Sequence, residues 1–260
     1  MNGLGWGFLL GTGGLLGLMA EGVKEAEKVE KAVMPRIALV QPAVLEAGAK
    51  VKLRLRGEAL DTVTAVHFEG FKPVDELELE GKGEAPGISG YDAQRVGGKK
   101  VEVTVSVPAD APLGTNVSVR VTGPGGESVA YGLLMVPAGT LKTEKEPNDG
   151  FRDAPRVPLG LWVRGGMEAK GDVDVFRVEL ESGRRFRAEI YAARLGSTLD
   201  AMLTVYDRRQ AMVMSVDDTV GRDPVVEFEV KESGEYFVAV LSANDKPASS
   251  HEYVLNLMQP

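Results

Sequence analysis

The sequence predicts an all-β protein built as two successive β-sandwiches. Three observations point there. Apolar and polar residues alternate with period two through most of the chain, as in "KVKLRLRG", where Val51, Leu53 and Leu55 share one face and Lys52, Arg54 and Arg56 the other. Turn-forming clusters punctuate these runs, and glycine is abundant, 32 of 260 residues. No ten-residue segment carries a helical apolar stripe.

Residues 1–20, "MNGLGWGFLLGTGGLLGLMA", hold no charged side chain and end at Ala20 before Glu21. The run has the length and ending of a secretory signal peptide, but no Lys or Arg precedes it and Leu18 is not the small residue expected before a cleavage site. An uncleaved anchor is the alternative, since a span needs roughly 20 apolar residues. Export is the favoured reading, to the periplasm, the cell surface or the medium, with no membrane span once the segment is cleaved. Residues 21–34, "EGVKEAEKVEKAVM", read as a charged tether.

Residues 35–137 form the first unit. Strands are expected in "KVKLRLRG", "TVTAVHFEG", "VEVTVSVP" and "NVSVRVTGPGGESVAYGLLMVP", with turns at Gly57, Gly70, "PADAPLG" and "GPGG". Residues 81–100 read as a long irregular insertion. Residues 138–143, "AGTLKT", read as a linker. The second unit, 144–260, is expected to carry strands near 161–167, 173–180, 184–193, 199–206, 211–216, 225–230, 235–242 and 252–258.

The chemistry concentrates in "TEKEPNDG" (143–150). In an extended segment Glu144, Glu146 and Asn148 project the same way, and Asp149-Gly150 supplies a turn. Carboxylate and amide oxygens suit a hard cation, and calcium takes six to eight of them, so a second segment is required. "KGDVDVFRVEL" can supply it. Asp172 and Asp174 open a strand whose same face continues with Phe176, Val178 and Leu180, so they sit at the mouth of the core. Which of the two lies closer to the ion stays open. A solvated acidic linker is the competing reading of the first segment.

Two resemblances follow from these stretches. "PRIALVQPAVLEAGAKVKLRLRGEALDTVTAVHFEG", with "VSVPADAPLGTNVSVRVTGPGGES", resembles an IPT/TIG-type immunoglobulin-like domain, a spacer or interaction module. "EKEPNDGFRDAPRVPLG", "GDVDVFRVEL", Leu199-Asp200, Tyr206-Asp207, Asp217-Asp218 and "GEYF" resemble a bacterial pre-peptidase C-terminal domain over about residues 143–258. The fold this implies is a jelly-roll-like β-sandwich. Relatives include collagen-binding domains of secreted collagenases, which bind calcium through the corresponding segments. Carried over by position, the resemblance implies Glu144, Glu146, Asn148, Asp149, Asp172 and Asp174 as calcium ligands.

Other polar residues read blandly. Asp200, Asp207, Asp217 and Asp218 fit turns or strand ends. His67 fits a packed or rim position, and His251 a solvated loop. Two histidines in different units, neither within H-E-x-x-H, no G-x-S-x-G elbow, no P-loop and no cysteine speak against an enzyme, although a carboxylate hydrolase stays an alternative. A net charge of −8 without a basic patch speaks against nucleic acid. The expected function is a non-catalytic, calcium-stabilised binding or adhesion module for an extracellular or envelope protein or glycan. A passive spacer without a ligand is the alternative.

Overall fold

A computed structural model describes residues 32–260 apart from 168, 245–247 and 249. The signal segment and most of the tether lie outside the described residues. The all-β expectation holds. Among the described residues, eighteen strands, two single-turn 3₁₀ segments and one four-residue helix make up the regular structure.

Nine strands lie between residues 36 and 136. These are β1 (Arg36–Gln41), β2 (Val44–Glu46), β3 (Lys50–Glu58), β4 (Ala65–Glu69), β5 (Leu79–Glu84), β6 (Lys99–Ser106), β7 (Gly114–Gly123), β8 (Gly126–Glu127) and β9 (Tyr131–Val136). One sheet runs β1-β3-β6-β5 and the other β2-β9-β7-β4, with β8 on β7. The expected alternation shows in β6, whose Val101, Val103 and Val105 are fully buried between the two sheets with Leu53, Leu55, Val119 and Leu133. Residues 81–100 are less irregular than expected. Part of the segment is β5, paired with β6 across a register shift, and Ala93–Val96 form the short helix α1. Glycines at 81 and 83 obscure the strand in sequence, because both take positive φ within it.

The second set is β10 (Leu141–Thr143), β11 (Trp162–Gly166), β12 (Val173–Leu180), β13 (Arg185–Tyr191), β14 (Ala201–Tyr206), β15 (Met212–Val216), β16 (Val225–Glu229), β17 (Gly234–Ser242) and β18 (Glu252–Met258). They form sheets β10-β11-β18-β13-β16 and β12-β17-β14-β15. Phe176, Val178 and Leu180 of β12 meet Phe186, Ile190, Leu255 and Leu257 of the facing sheet in one core. The expected linker, residues 138–143, takes part in a sheet. Its second half is β10, which pairs parallel with β11, and the Leu141 N–H donates to Glu46 Oε1 at 3.1 Å. Leu141 is apolar and packs against a buried seam.

That seam joins the two sets of sheets within one compact body, residues 32–260. Val44, Leu134, Val136 and Val254 are buried together, flanked by Leu141, Trp162, Tyr191 and Leu195. Two phenols cross it: Tyr91 donates to Gly196 O at 2.6 Å and Tyr131 to Leu195 O at 2.7 Å. Gly196 has φ of 83°, and a Cβ there would stand 2.1 Å from the Tyr131 oxygen, so a side chain fits on neither count.

Candidate metal centre

The strand β10 delivers the chain to Glu144, whose N–H donates to Arg164 O at 2.9 Å as though the strand ran one residue further. The next residues cross the open end of the sandwich. Asn148 O accepts from the Val175 N–H at 2.9 Å, which anchors the segment along the edge of β12. Asp174, second residue of β12, points inward as the alternation with Phe176 and Val178 requires. The result is one cluster. Carboxylate oxygens of Glu144, Glu146 and Asp174 lie within 4.8 Å of one another, with Glu146 exposed, Glu144 half-buried and Asp174 fully buried.

Its hydrogen bonds are incomplete. Glu144 Oε1 accepts from the Gly166 N–H at 2.6 Å, and Oε2 from Asn148 Nδ2 at 3.2 Å. Glu146 Oε2 accepts from the Asn148 N–H at 3.0 Å. The Tyr253 hydroxyl lies 2.7 Å from Asp174 Oδ2 and 3.0 Å from Glu144 Oε2, and its single proton serves one of them at a time. Among the described residues no donor reaches Asp174 Oδ1 or Asn148 Oδ1, and both are buried. A bare buried carboxylate oxygen is costly, and removing its hydration without a partner costs more than a lost neutral hydrogen bond.

The electrostatics agree. Burial, then the charge of Glu144, pushes the Asp174 carboxyl up to about 8. Burial raises Glu144 and Glu146 as well, against a smaller lowering by a side-chain hydrogen bond that protonated Asp174 can donate to each in the absence of an ion. Three acids that resist ionisation at one spot, with two oxygens lacking donors, form a site short of positive charge. Oxygen-only donors suit a hard divalent cation better than zinc or copper.

The six residues expected as ligands divide. Glu144, Glu146, Asn148 and Asp174 come together. Of the two strand aspartates it is Asp174 that enters the cluster, because Asp172 precedes β12 and accepts the Ala169 N–H at 3.3 Å. Asp172 and Asp149 contribute charge: both add to the field that raises Glu146. Asp149 is exposed.

Two participants escaped sequence reasoning. Tyr253 is 1% exposed, on the same face of β18 as Leu255 and Leu257. A tyrosine on a core face needs a partner for its hydroxyl, and that was the available signal. Gly165 is the other. A Cβ there would stand 2.4 Å from the Tyr253 oxygen and 2.6 Å from Glu144 Oε2, so the paired glycines of β11 mark a close approach.

The remaining polar residues follow expectation in part. Asp207 Oδ1 caps its turn, accepting the N–H groups of Arg209 and Ala211. Asp217 accepts the Asp218 N–H. His67 is exposed, 3.1 Å from Thr122 Oγ1. His251 is a correction: it is 7% exposed, its N–H donating to Ala248 O and its O accepting the Met167 N–H, so it is held by backbone bonds instead of standing in solvent.

No family model matches the chain. A 102-residue stretch, 38% of the chain, is 29% identical to a probable subtilase-type serine protease of Deinococcus radiodurans, and the match spans 14% of that protein's length. Among solved structures, the pre-peptidase C-terminal domain of a Bacillus anthracis collagenase aligns over 44% of this chain and 99% of its own, at 15% identity and a TM-score of 0.35. A periplasmic inhibitor of g-type lysozyme from Aeromonas hydrophila aligns over 40% of this chain and 98% of its own, at 14% identity and a TM-score of 0.30. No helix among the described residues is long and apolar enough to cross a membrane.

Proposed function

We propose that the chain is a non-catalytic, exported accessory module whose C-terminal sandwich is stabilised by calcium. The observation that carries this reading is the pair of buried bare oxygens, Asp174 Oδ1 and Asn148 Oδ1, beside the carboxylates of Glu144 and Glu146. Those four residues would hold the ion, and water could complete its shell on the side of exposed Glu146. Calcium would act on folding and rigidity by neutralising a cluster that otherwise repels itself. The limited likeness to a subtilase-type protease and the pre-peptidase motifs support the accessory role, with an immunoglobulin-like first sandwich ahead of it. An exported or envelope protein or glycan is the expected partner class.

The test is a thermal melt of the whole chain with calcium and with chelator. At a hundredfold excess over the dissociation constant, binding stabilises by about 2.7 kcal/mol. For a body of this size that is a shift on the order of 5–10 °C. A Glu146→Ala, Asp174→Ala variant should show none. Wild type that does not respond to calcium, magnesium or manganese would reject the metal centre and leave a spacer.

A further inference from the structure

Each of the four sheets ends in two edge strands, and an exposed edge is a template for pairing unless it is charged or covered. Among the described residues, β1, β2, β4, β5, β10, β12 and β16 each carry at least one charged side chain. The β12 edge is also covered by backbone bonds from residues 148–157. The strand β15, Met212-Val213-Met214-Ser215-Val216, is different. It has no charge and no proline, a single bulge interrupts it, and among the described residues no strand pairs with its outer side. Met212 is 65% and Val213 42% exposed. The register shift against β14 leaves Val213 without a partner there, and a groove beside Val213 and Met214 opens onto Phe228 and Tyr236.

The flanks say what covers it. Arg208 and Arg209 precede β15, and Asp217 and Asp218 follow it, all exposed. Arg208 and Arg209 lie in the turn that closes the β14–β15 hairpin, so the positive side chains stand at one end of β15 and the two aspartates at the other. An antiparallel partner of identical sequence therefore sets the arginine end of each strand beside the aspartate end of the other. A parallel partner would set like charges together. We infer that β15 pairs antiparallel with β15 of a second copy about a two-fold axis near the middle of the strand, joining the two four-stranded sheets edge to edge and packing Met212 and Val213 against the partner. The surface pair of Arg208 with Glu232, 3.8 Å apart, is long and exposed and leaves Arg208 able to turn. Long-range repulsion between two chains of charge −8 is screened beyond ~10 Å at ordinary salt, whereas the flanking pairs act at contact.

The test uses the full chain, in calcium and in chelator, so that it does not depend on the metal centre. Sedimentation velocity should show a concentration-dependent dimer. Arg208→Asp with Arg209→Asp, and separately Asp217→Arg with Asp218→Arg, should each weaken self-association by about tenfold or more. Mixing these two variants should restore a dimer. The chain has no cysteine, so Val213→Cys supplies a single thiol, which should cross-link to its twin far faster than Val129→Cys at an exposed site elsewhere. A wild type that stays monomeric up to about 1 mM would overturn the inference and leave the edge to an extended peptide of another protein. Cross-linking of Val213→Cys no faster than the control would overturn it too.

Discussion

Among the described residues, two aspartates are fully buried in the C-terminal sandwich, and the fold treats them oppositely. Asp223 is surrounded by donors. Its Oδ1 accepts the N–H groups of Ala192 and Ala193 at 3.2 and 2.7 Å, and its Oδ2 accepts the Arg194 N–H and Nε at 3.1 and 2.7 Å. Arg194 continues to Glu189 and stacks 4.0 Å over the Tyr191 ring. Asp174 has a hydroxyl shared with a second carboxylate, one bare oxygen, and like charges for neighbours. A buried carboxylate is therefore not in itself a sign of a site. It becomes one when the chain supplies the acceptors and withholds the donors.

The largest expected break in this comparison is at Asp223. Asp223→Ala strands three N–H groups and part of Arg194, and should cost about 3–5 kcal/mol. The loss should be the same with calcium and with chelator, read as the midpoint of urea unfolding. Next comes Asp174→Asn, which keeps the shape and removes the charge. It should raise the melting temperature of the ion-free protein and abolish the calcium increment, whereas Asp223→Asn should lower the melting temperature in both conditions.

Acidity sharpens the contrast further. The folded-state value of Asp174, about 8, lies above the ordinary aspartate value of 3.8, so between them the ion-free folded protein holds a proton that the unfolded chain has released. Stability from this group is complete below about pH 4 and is lost as pH rises through about 8. In chelator, the melting advantage of Asp174→Asn over wild type should be near zero at the acid end and widen towards pH 8.5. A flat difference would mean that Asp174 ionises freely. The smallest effect is expected from Tyr253→Phe. Loss of one shared O–H should lower stability by about 1 kcal/mol and weaken calcium binding about tenfold, measured by titration calorimetry.

The same two aspartates show how far the sequence could be read. The strands were legible because one side of each sheet faces a core, so alternation is forced, as in β6 and β12. Asp174 was legible from its place on the strand β12, and Glu144 and Glu146 from their local spacing directly after a strand, although the chain bends at Glu146 where an extended segment was expected. Tyr253 was not, since its role depends on partners 79 and 109 residues away. Asp223, within "GRDPVV", reads as an ordinary turn acid. Its donors come from backbone N–H groups that no side-chain pattern reveals. The strand within the linker was hidden for a similar reason: no local pattern in Leu141–Thr143 reveals its parallel partner, Trp162–Arg164.

The seam has a consequence for how such a pair of sandwiches can be inherited. Val44, Leu134 and Val136 meet Val254, Trp162 and Leu141, and the phenols of Tyr91 and Tyr131 close on the turn at Leu195 and Gly196. A recombination event that moved only one half would carry away a strip of bare aliphatic surface and leave its mate with another. Either half produced alone is therefore expected to be less soluble than the whole chain, unless its side of the join is rewritten. The two sandwiches are thus a single cassette with two cores.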